Sequence, residues 1–188
     1  GTGLTAMASK YPKRFFDVGI AEEHAVTFAA GMAAGGLKPV VAIYSTFLQR
    51  AYDQILHDVC IGKLPVVFAV DRAGLVGSDV APQQGTSDIA YSRSKPNMTV
   101  LAPKNAWELR QMMLFALEQN TPTAIRLSRG AAWEGLQDHQ QEITMGKAEW
   151  ICEGQEIALL AVGNMVETAM WVREHQKAEG QKVSVVNM

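Results

Sequence analysis

The sequence predicts an α/β protein built on a mostly parallel sheet flanked by helices. Apolar runs of strand length alternate along it with stretches of helical period. Several of those runs are nearly continuous in Val, Ile, Leu and Ala, as strands buried on both faces must be. In chain order, strands are expected at 14–18, 39–44, 65–70, 98–102, 123–127, 157–162 and 183–186. Helices are expected between them at 23–34, 46–60, 106–119 and 165–178. Gly35-Gly36 and Gly180 fit the glycine stop of a helix, and Asn105 and Asn164 stand where N-caps belong.

Two stretches interrupt this rhythm. Residues 72–97 are rich in Gly, Ser, Asp, Gln and Pro, and a loop of that length inside a domain is usually functional or mobile. Residues 132–155 contain the polar run Gln137-Asp138-His139-Gln140-Gln141-Glu142 and read as an interdomain linker. The expected organisation is therefore a first domain at 1–131, a linker at 132–155, and the start of a second domain at 156–188. A strand-helix-strand unit does not close a core by itself, so the chain reads as a fragment.

Composition narrows the function classes. The 188 residues are 48% hydrophobic and 19% charged, and 17 basic against 19 acidic side chains give a net charge of -2. No polybasic run argues for nucleic acid or an anionic membrane as partner. No apolar run approaches the ~20 residues that span a bilayer, and no secretory signal opens the chain. The two cysteines, Cys60 and Cys152, read as reduced thiols of a cytoplasmic protein. His57 and Cys60 lie three apart on one expected helix, but two ligands with no second pair are a weak zinc signal.

Residues 17–36 hold the first chemistry-bearing pattern. An expected strand ends at Val18, a short turn follows, and Glu22-Glu23 opens an alanine-rich helix with Gly31 and Gly35 four apart. Small residues at that spacing let another backbone approach closely, within the subunit or across a dimer. On pattern alone, the two glutamates read as first-turn acids stabilised by the helix dipole.

Longer motifs sharpen that reading. The segment Asp17-Val18-Gly19-Ile20-Ala21-Glu22-Glu23-His24 and its continuation to Gly31 resemble the signature of the 1-deoxy-D-xylulose-5-phosphate synthase family, within the transketolase-like thiamine-diphosphate enzymes. Glu23 replaces that signature's Gln. The likeness continues through residues 44–54 and 71–79, and stays traceable to the end of the chain. It implies a thiamine-diphosphate-binding fold of the pyrimidine-domain type, followed by part of a transketolase C-terminal domain.

The resemblance also assigns roles. Glu22 would be the catalytic acid, sharing a proton with ring nitrogen N1′ of the cofactor's aminopyrimidine from a poorly solvated pocket. Phe47 would pack on that ring, Ile20 would add apolar wall, and Tyr44 would line the pocket beside the substrate. Arg72 and Arg129 follow expected strands, at the carboxyl ends where α/β proteins bind ligands, and would clamp the phosphate of glyceraldehyde 3-phosphate. Asp79 would face the substrate's hydroxyls. Pyruvate would be the second substrate, with release of CO2, and a homo-oligomer is expected.

The chain departs from the family pattern at one active-site position. After Gly77-Ser78-Asp79 the family has Gly-Gln-Thr-His-Gln-Gly, whereas this chain has Val80-Ala81-Pro82-Gln83-Gln84-Gly85. Gln83 therefore stands where the family places a histidine, and an amide bonds a substrate but transfers no protons near neutral pH. An altered substrate or rate and a loss of catalysis both follow from this, so a related subunit of different substrate and a non-catalytic partner subunit stay open. Glu22 and Phe47 argue against the latter, because a scaffold needs no pyrimidine-activating acid. The Gly-Asp-Gly and Asn that hold the family's Mg2+ are not found here. The diphosphate and metal are expected on a separate diphosphate-binding domain or chain, without which this stretch binds the cofactor poorly.

Overall fold

The computed structural model describes residues 2–188, which form two compact units. The first comprises residues 2–100 and 119–129; the second comprises 101–118 and 130–188. The second unit thus takes residues from within the expected first domain. It also takes a strand from the stretch expected as a linker.

The first unit contains α1 (Thr5–Lys10), α2 (Glu22–Ala34), β1 (Val40–Tyr44), α3 (Ser45–Leu48), α4 (Tyr52–Gln54), β2 (Val67–Asp71), α5 (Asp88–Arg93) and β4 (Thr123–Arg126). With β3 (Thr99–Leu101) the strands form a four-stranded sheet in the order β1-β2-β4-β3. The β1–β2 and β2–β4 pairs are parallel, with Tyr44 opposite Asp71 and Val70 opposite Arg126. This register brings the carboxyl ends of β1, β2 and β4 to one edge, the usual ligand side of an α/β sheet. Val66, Val67, Phe68 and Val70 of the β2 region are almost wholly buried, as the continuous apolar run requires. Ala25, Val26, Ala29, Ala30 and Ala33 form the buried stripe of α2, and their small size brings that helix close to its neighbours.

Two expectations are corrected here. No strand forms at 14–18: Pro12–Arg14 is a 3-10 turn, Phe15 after it is extended, and residues 15–18 belong to no helix or strand. A short stretch such as Phe15-Phe16-Asp17-Val18 makes a strand only where a partner accepts its backbone bonds. The single helix expected at 46–60 is broken into α3, a 3-10 turn at Gln49–Ala51, α4, and a π-helical segment at Ile55–Cys60. The break changes the phase of the chain. Phe47 and Arg50 stay toward the sheet's carboxyl edge, while Ile55, Val59 and Cys60 enter the core. Burial pushes the Cys60 thiol up to about 11, so a thiol-alkylating reagent should leave Cys60 unmodified in the native protein and react with it only after unfolding, as read by mass spectrometry.

The second unit contains α6 (Ala106–Glu118), β5 (Glu149–Cys152), β6 (Ile157–Ala161), α7 (Met165–Ala178) and β7 (Val183–Asn187), with a sheet in the order β5-β7-β6. Strands β6 and β7 are parallel, and β5 runs antiparallel to β7. Strand β5 was not expected from the sequence. Asn105 caps α6 as expected, accepting the Glu108 amide at 2.9 Å, whereas the Asn164 side chain makes no capping bond to α7. A buried polar network ties the unit together. Lys104 Nζ donates to Glu108 Oε1 at 3.1 Å and Glu149 Oε2 at 2.7 Å, and Asn187 Nδ2 donates to Glu108 at 2.9 Å. Removing Lys104 alone would leave two buried carboxylates uncompensated, the costly way to break such a cluster.

The long loop after β2 is held at three points. Arg126 grips the 2%-exposed Asp88 with two bonds of 2.6 and 3.1 Å, Tyr91 Oη donates to the Ser45 carbonyl at 2.9 Å, and Lys95 sits over the Tyr52 ring at 3.5 Å. Lys95 is 5% exposed, and its ammonium is held by the Tyr91 carbonyl and ring faces instead of a carboxylate. Burial lowers its pKa from 10.5 to about 8. The unfolded chain therefore binds the extra proton between those values, and stability rises with pH across that window. We expect Lys95→Met to raise stability at neutral pH by about 1–3 kcal/mol and to abolish this rise, as measured by urea unfolding at several pH values.

Candidate functional site

The expected site residues lie in the first unit, most of them on one run of touching side chains along the carboxyl edge of its sheet. Glu22 opens α2 and is 7% exposed, with Oε1 3.2 Å from Arg50 Nη1. It stands in the first helical turn, where acidic residues suit the helix dipole. The Arg50 guanidinium lies 5.1 Å from the centre of the Phe47 ring. Phe47 stacks on Tyr44, the last residue of β1, with ring centres 5.6 Å apart and planes inclined by 16°. Arg72 then covers the other part of the run, its guanidinium 3.8 Å from the Tyr44 ring centre.

Asp79 is the hub of the far end. It accepts Arg72 Nε at 2.7 Å through Oδ2, and its Oδ1 lies 3.4 Å from Arg129 Nη1. Arg129 also donates to Ser78 Oγ at 2.5 Å. Arg72 follows directly after β2 with a positive φ of 54°, which a non-glycine residue adopts only when its surroundings enforce it. Asp71 supplies part of that enforcement, accepting both the Arg72 amide at 2.8 Å and Arg72 Nη1 at 3.2 Å. Burial works against the Arg72 charge, but its hydrogen bond to Asp79 and the electrostatic effects of Tyr44, Asp71 and Asp79 outweigh it and raise its pKa.

The loop that carries Asp79 is shaped by its own backbone contacts. Gln84 bonds the Val76 amide at 2.6 Å and the Val76 carbonyl at 2.8 Å, closing the turn from both sides. Gly85 exchanges backbone bonds with Gly74 and packs directly on the Arg72 carbonyl and on Ser45. Gln83 is drawn to the same carboxylate: a carboxylate accepts only from the amide nitrogen, and in that orientation Gln83 Nε2 lies 2.7 Å from Asp79 Oδ1 and 3.1 Å from Oδ2.

Glu22, Tyr44, Phe47, Arg72, Asp79, Gln83 and Arg129 are therefore brought together in one run. Ile20 is not gathered into it; its side chain is 91% exposed. Sequence reasoning missed Arg50, Asp71 and Gly85. Arg50 stands three residues after Phe47, a spacing that puts both on one helical face, and this was the available signal. His57 pairs with Asp58 at 3.3 Å on the exposed side, and Cys60 is buried in the core. Among the described residues no three His, Cys, Asp or Glu side chains gather as metal ligands, and no helix is long and apolar enough to cross a membrane.

Parallel β1, β2 and β4 with an acid-led helix and an arginine–carboxylate cluster at their carboxyl ends define an α/β domain with an ionic site at its sheet edge. The chain belongs to the transketolase pyrimidine-binding-domain family, whose model matches residues 1–133. It is 60% identical over 187 residues to the 1-deoxy-D-xylulose-5-phosphate synthase of Lachnoclostridium phytofermentans, and 55% identical over 188 residues to that of Pelotomaculum thermopropionicum. Both alignments cover 100% of this chain and 30% of the relative, so the chain spans about a third of the length of these proteins. A solved structure described as a split gene transketolase, inactive beta4 tetramer, superposes with a TM-score of 0.88 at 31% identity, covering 100% of this chain and 61% of that one.

Proposed function

We propose that this chain is the pyrimidine-binding half of a thiamine-diphosphate-dependent transferase that condenses pyruvate with glyceraldehyde 3-phosphate to 1-deoxy-D-xylulose 5-phosphate and CO2. The observation that carries the reading is the run Glu22–Arg50–Phe47–Tyr44–Arg72–Asp79, which joins a proton-sharing acid to a positively charged acceptor site. The relatives at 55–60% identity, named for this synthase, support it over the whole chain.

The residues present fit the pyrimidine end of thiamine diphosphate by the chemistry of their donor set. A buried carboxyl group stands at a helix N-terminus, a half-buried aromatic ring lies beyond its arginine partner, and exposed Ile20 offers an apolar surface. When bound, the cofactor supplies a thiazolium carbon nucleophile for the keto carbonyl of pyruvate. Glu22 holds and exchanges a proton with N1′ of the aminopyrimidine. Phe47 and Ile20 exclude water from the ring, and the Tyr44 hydroxyl lines the substrate side. Arg72 and Arg129 give the acceptor site its positive charge for the aldehyde's phosphate, and Asp79 accepts from the aldehyde's hydroxyl. Mg2+ and the diphosphate belong to the separate diphosphate-binding half, and the assembly is a cytoplasmic homo-oligomer.

The domain reading that goes with this is a pyrimidine domain at 1–131, a linker at 132–155, and the start of a transketolase C-terminal domain from 156. Gln83 favours a second reading, in which the same chemistry serves a different acceptor. Both are tested by giving the assembled holoenzyme pyruvate with a panel of aldehydes. Release of CO2 with glyceraldehyde 3-phosphate as the preferred acceptor supports the synthase. Preference for another aldehyde supports the second reading, and no turnover with any acceptor contradicts both.

A further inference from the structure

We propose that Gln83 is a positioning residue. Its amide nitrogen closes a clamp on Asp79 that keeps Arg72 turned inward and leaves Arg129 as the guanidinium that meets the acceptor's anionic group. This division of labour rests on the acceptor-site reading above. Arg72 has little left to offer a substrate: Nε is taken by Asp79, Nη1 by Asp71, and one face by the Tyr44 ring. Its side chain is only 15% exposed. Arg129 differs on each count. Its side chain is 38% exposed, its approach to Asp79 is a loose 3.4 Å, and its one short bond is to the neutral Ser78 hydroxyl. A guanidinium so placed keeps an edge free for two-point binding of a phosphate.

Gln83 decides how loose that second contact stays. Asp79 Oδ2 is occupied by Arg72, and with its amide nitrogen turned to the carboxylate, the one orientation in which it can bond there, Gln83 lies 2.7 Å from Oδ1 and 3.1 Å from Oδ2. A neutral donor on Oδ1 satisfies the oxygen that Arg129 would otherwise close upon. Without it, Asp79 and Arg129 would form a tight ion pair, and the phosphate would have to compete with a carboxylate for the same edge. An amide does this at every pH, since it does not titrate.

The test uses the assembled holoenzyme and inorganic phosphate as the probe, with binding read by calorimetry beside steady-state kinetics. Gln83→Met, close in shape but without a donor, should weaken phosphate binding and raise the KM for the acceptor aldehyde, each by about tenfold, the range expected for one hydrogen bond to a charged group. The kcat and the KM for pyruvate should stay within about twofold of the parent by the same reasoning, because the clamp does not touch the donor side. Gln83→His at mildly alkaline pH should restore phosphate affinity, because neutral imidazole still donates one N–H. Unchanged phosphate affinity and acceptor KM in Gln83→Met would overturn the proposal, as would a fall in kcat alone. Weakened phosphate binding in an enzyme that does not turn over this substrate pair would uphold the clamp while rejecting the synthase reading.

Discussion

Changing Glu22 to Gln lowers kcat of the assembled enzyme by about 10²–10⁴, the range lost when a positioned acid–base group is removed. The substitution keeps the size and the hydrogen-bonding capacity of the side chain, so the bond to Arg50 at the mouth of α2 persists with an amide oxygen as acceptor. What is lost is the proton shared with the aminopyrimidine nitrogen. The effect should fall on kcat, with both KM values within about threefold of the parent, because Glu22 touches neither substrate. A near-normal kcat would remove Glu22 from its assigned role.

Gly85→Ala is expected to be nearly as damaging although Gly85 touches no substrate. A Cβ at this position would lie 2.3 Å from the Arg72 carbonyl oxygen and 2.6 Å from both Cβ and Oγ of Ser45. Neither neighbour yields readily. Arg72 is already held in the left-handed region, and Ser45 is fully buried at the start of α3, two residues before Phe47. Relief must come from the loop itself, which carries Asp79 and Gln83. A shift of about 1 Å there costs on the order of 10²-fold in activity. Overpacking against backbone should also cost about 1–3 kcal/mol, visible as a lower thermal midpoint. Gly77→Ala is the control: it lies in the same loop, its Cβ would meet nothing within 4 Å, and its activity and midpoint should match the parent.

Much of this architecture was legible in the sequence, for reasons that can be named. Runs such as residues 65–70 announce a strand buried on both faces because nothing polar interrupts them, and β2 forms there with Val67, Phe68 and Val70 all buried. Residues 14–18 carry a weaker signal, Phe15, Phe16 and Val18 broken by Asp17, and form no strand, because pairing depends on a partner that local sequence does not encode. Strand β5 was hidden for the opposite reason. It is short and begins with Glu149, a residue that reads as surface and is buried only because Lys104 and Asn187 meet it from distant parts of the chain.

The site divides the same way. Glu22, Tyr44, Phe47, Arg72 and Asp79 stand out through motif resemblance, and the structure joins them into one run. Arg50 and Gly85 do not stand out, since one depends on the phase of a broken helix and the other on how closely a loop returns to β2. Gln83 was visible as a departure from the family pattern, but what it does instead depends on its distance from Asp79.

The most direct test of the central claim, that Glu22 activates a cofactor bound by its pyrimidine ring, follows proton exchange at the thiazolium carbon without any substrate. Thiamine diphosphate is bound to the assembled enzyme, the sample is diluted into deuterated water, and loss of the C2 proton is followed by quenched NMR. The parent should exchange this proton far faster than free cofactor, and Glu22→Gln should slow it by about 10²–10⁴ while the cofactor stays bound. Equal exchange rates in parent and variant, with equal cofactor occupancy, would contradict the account.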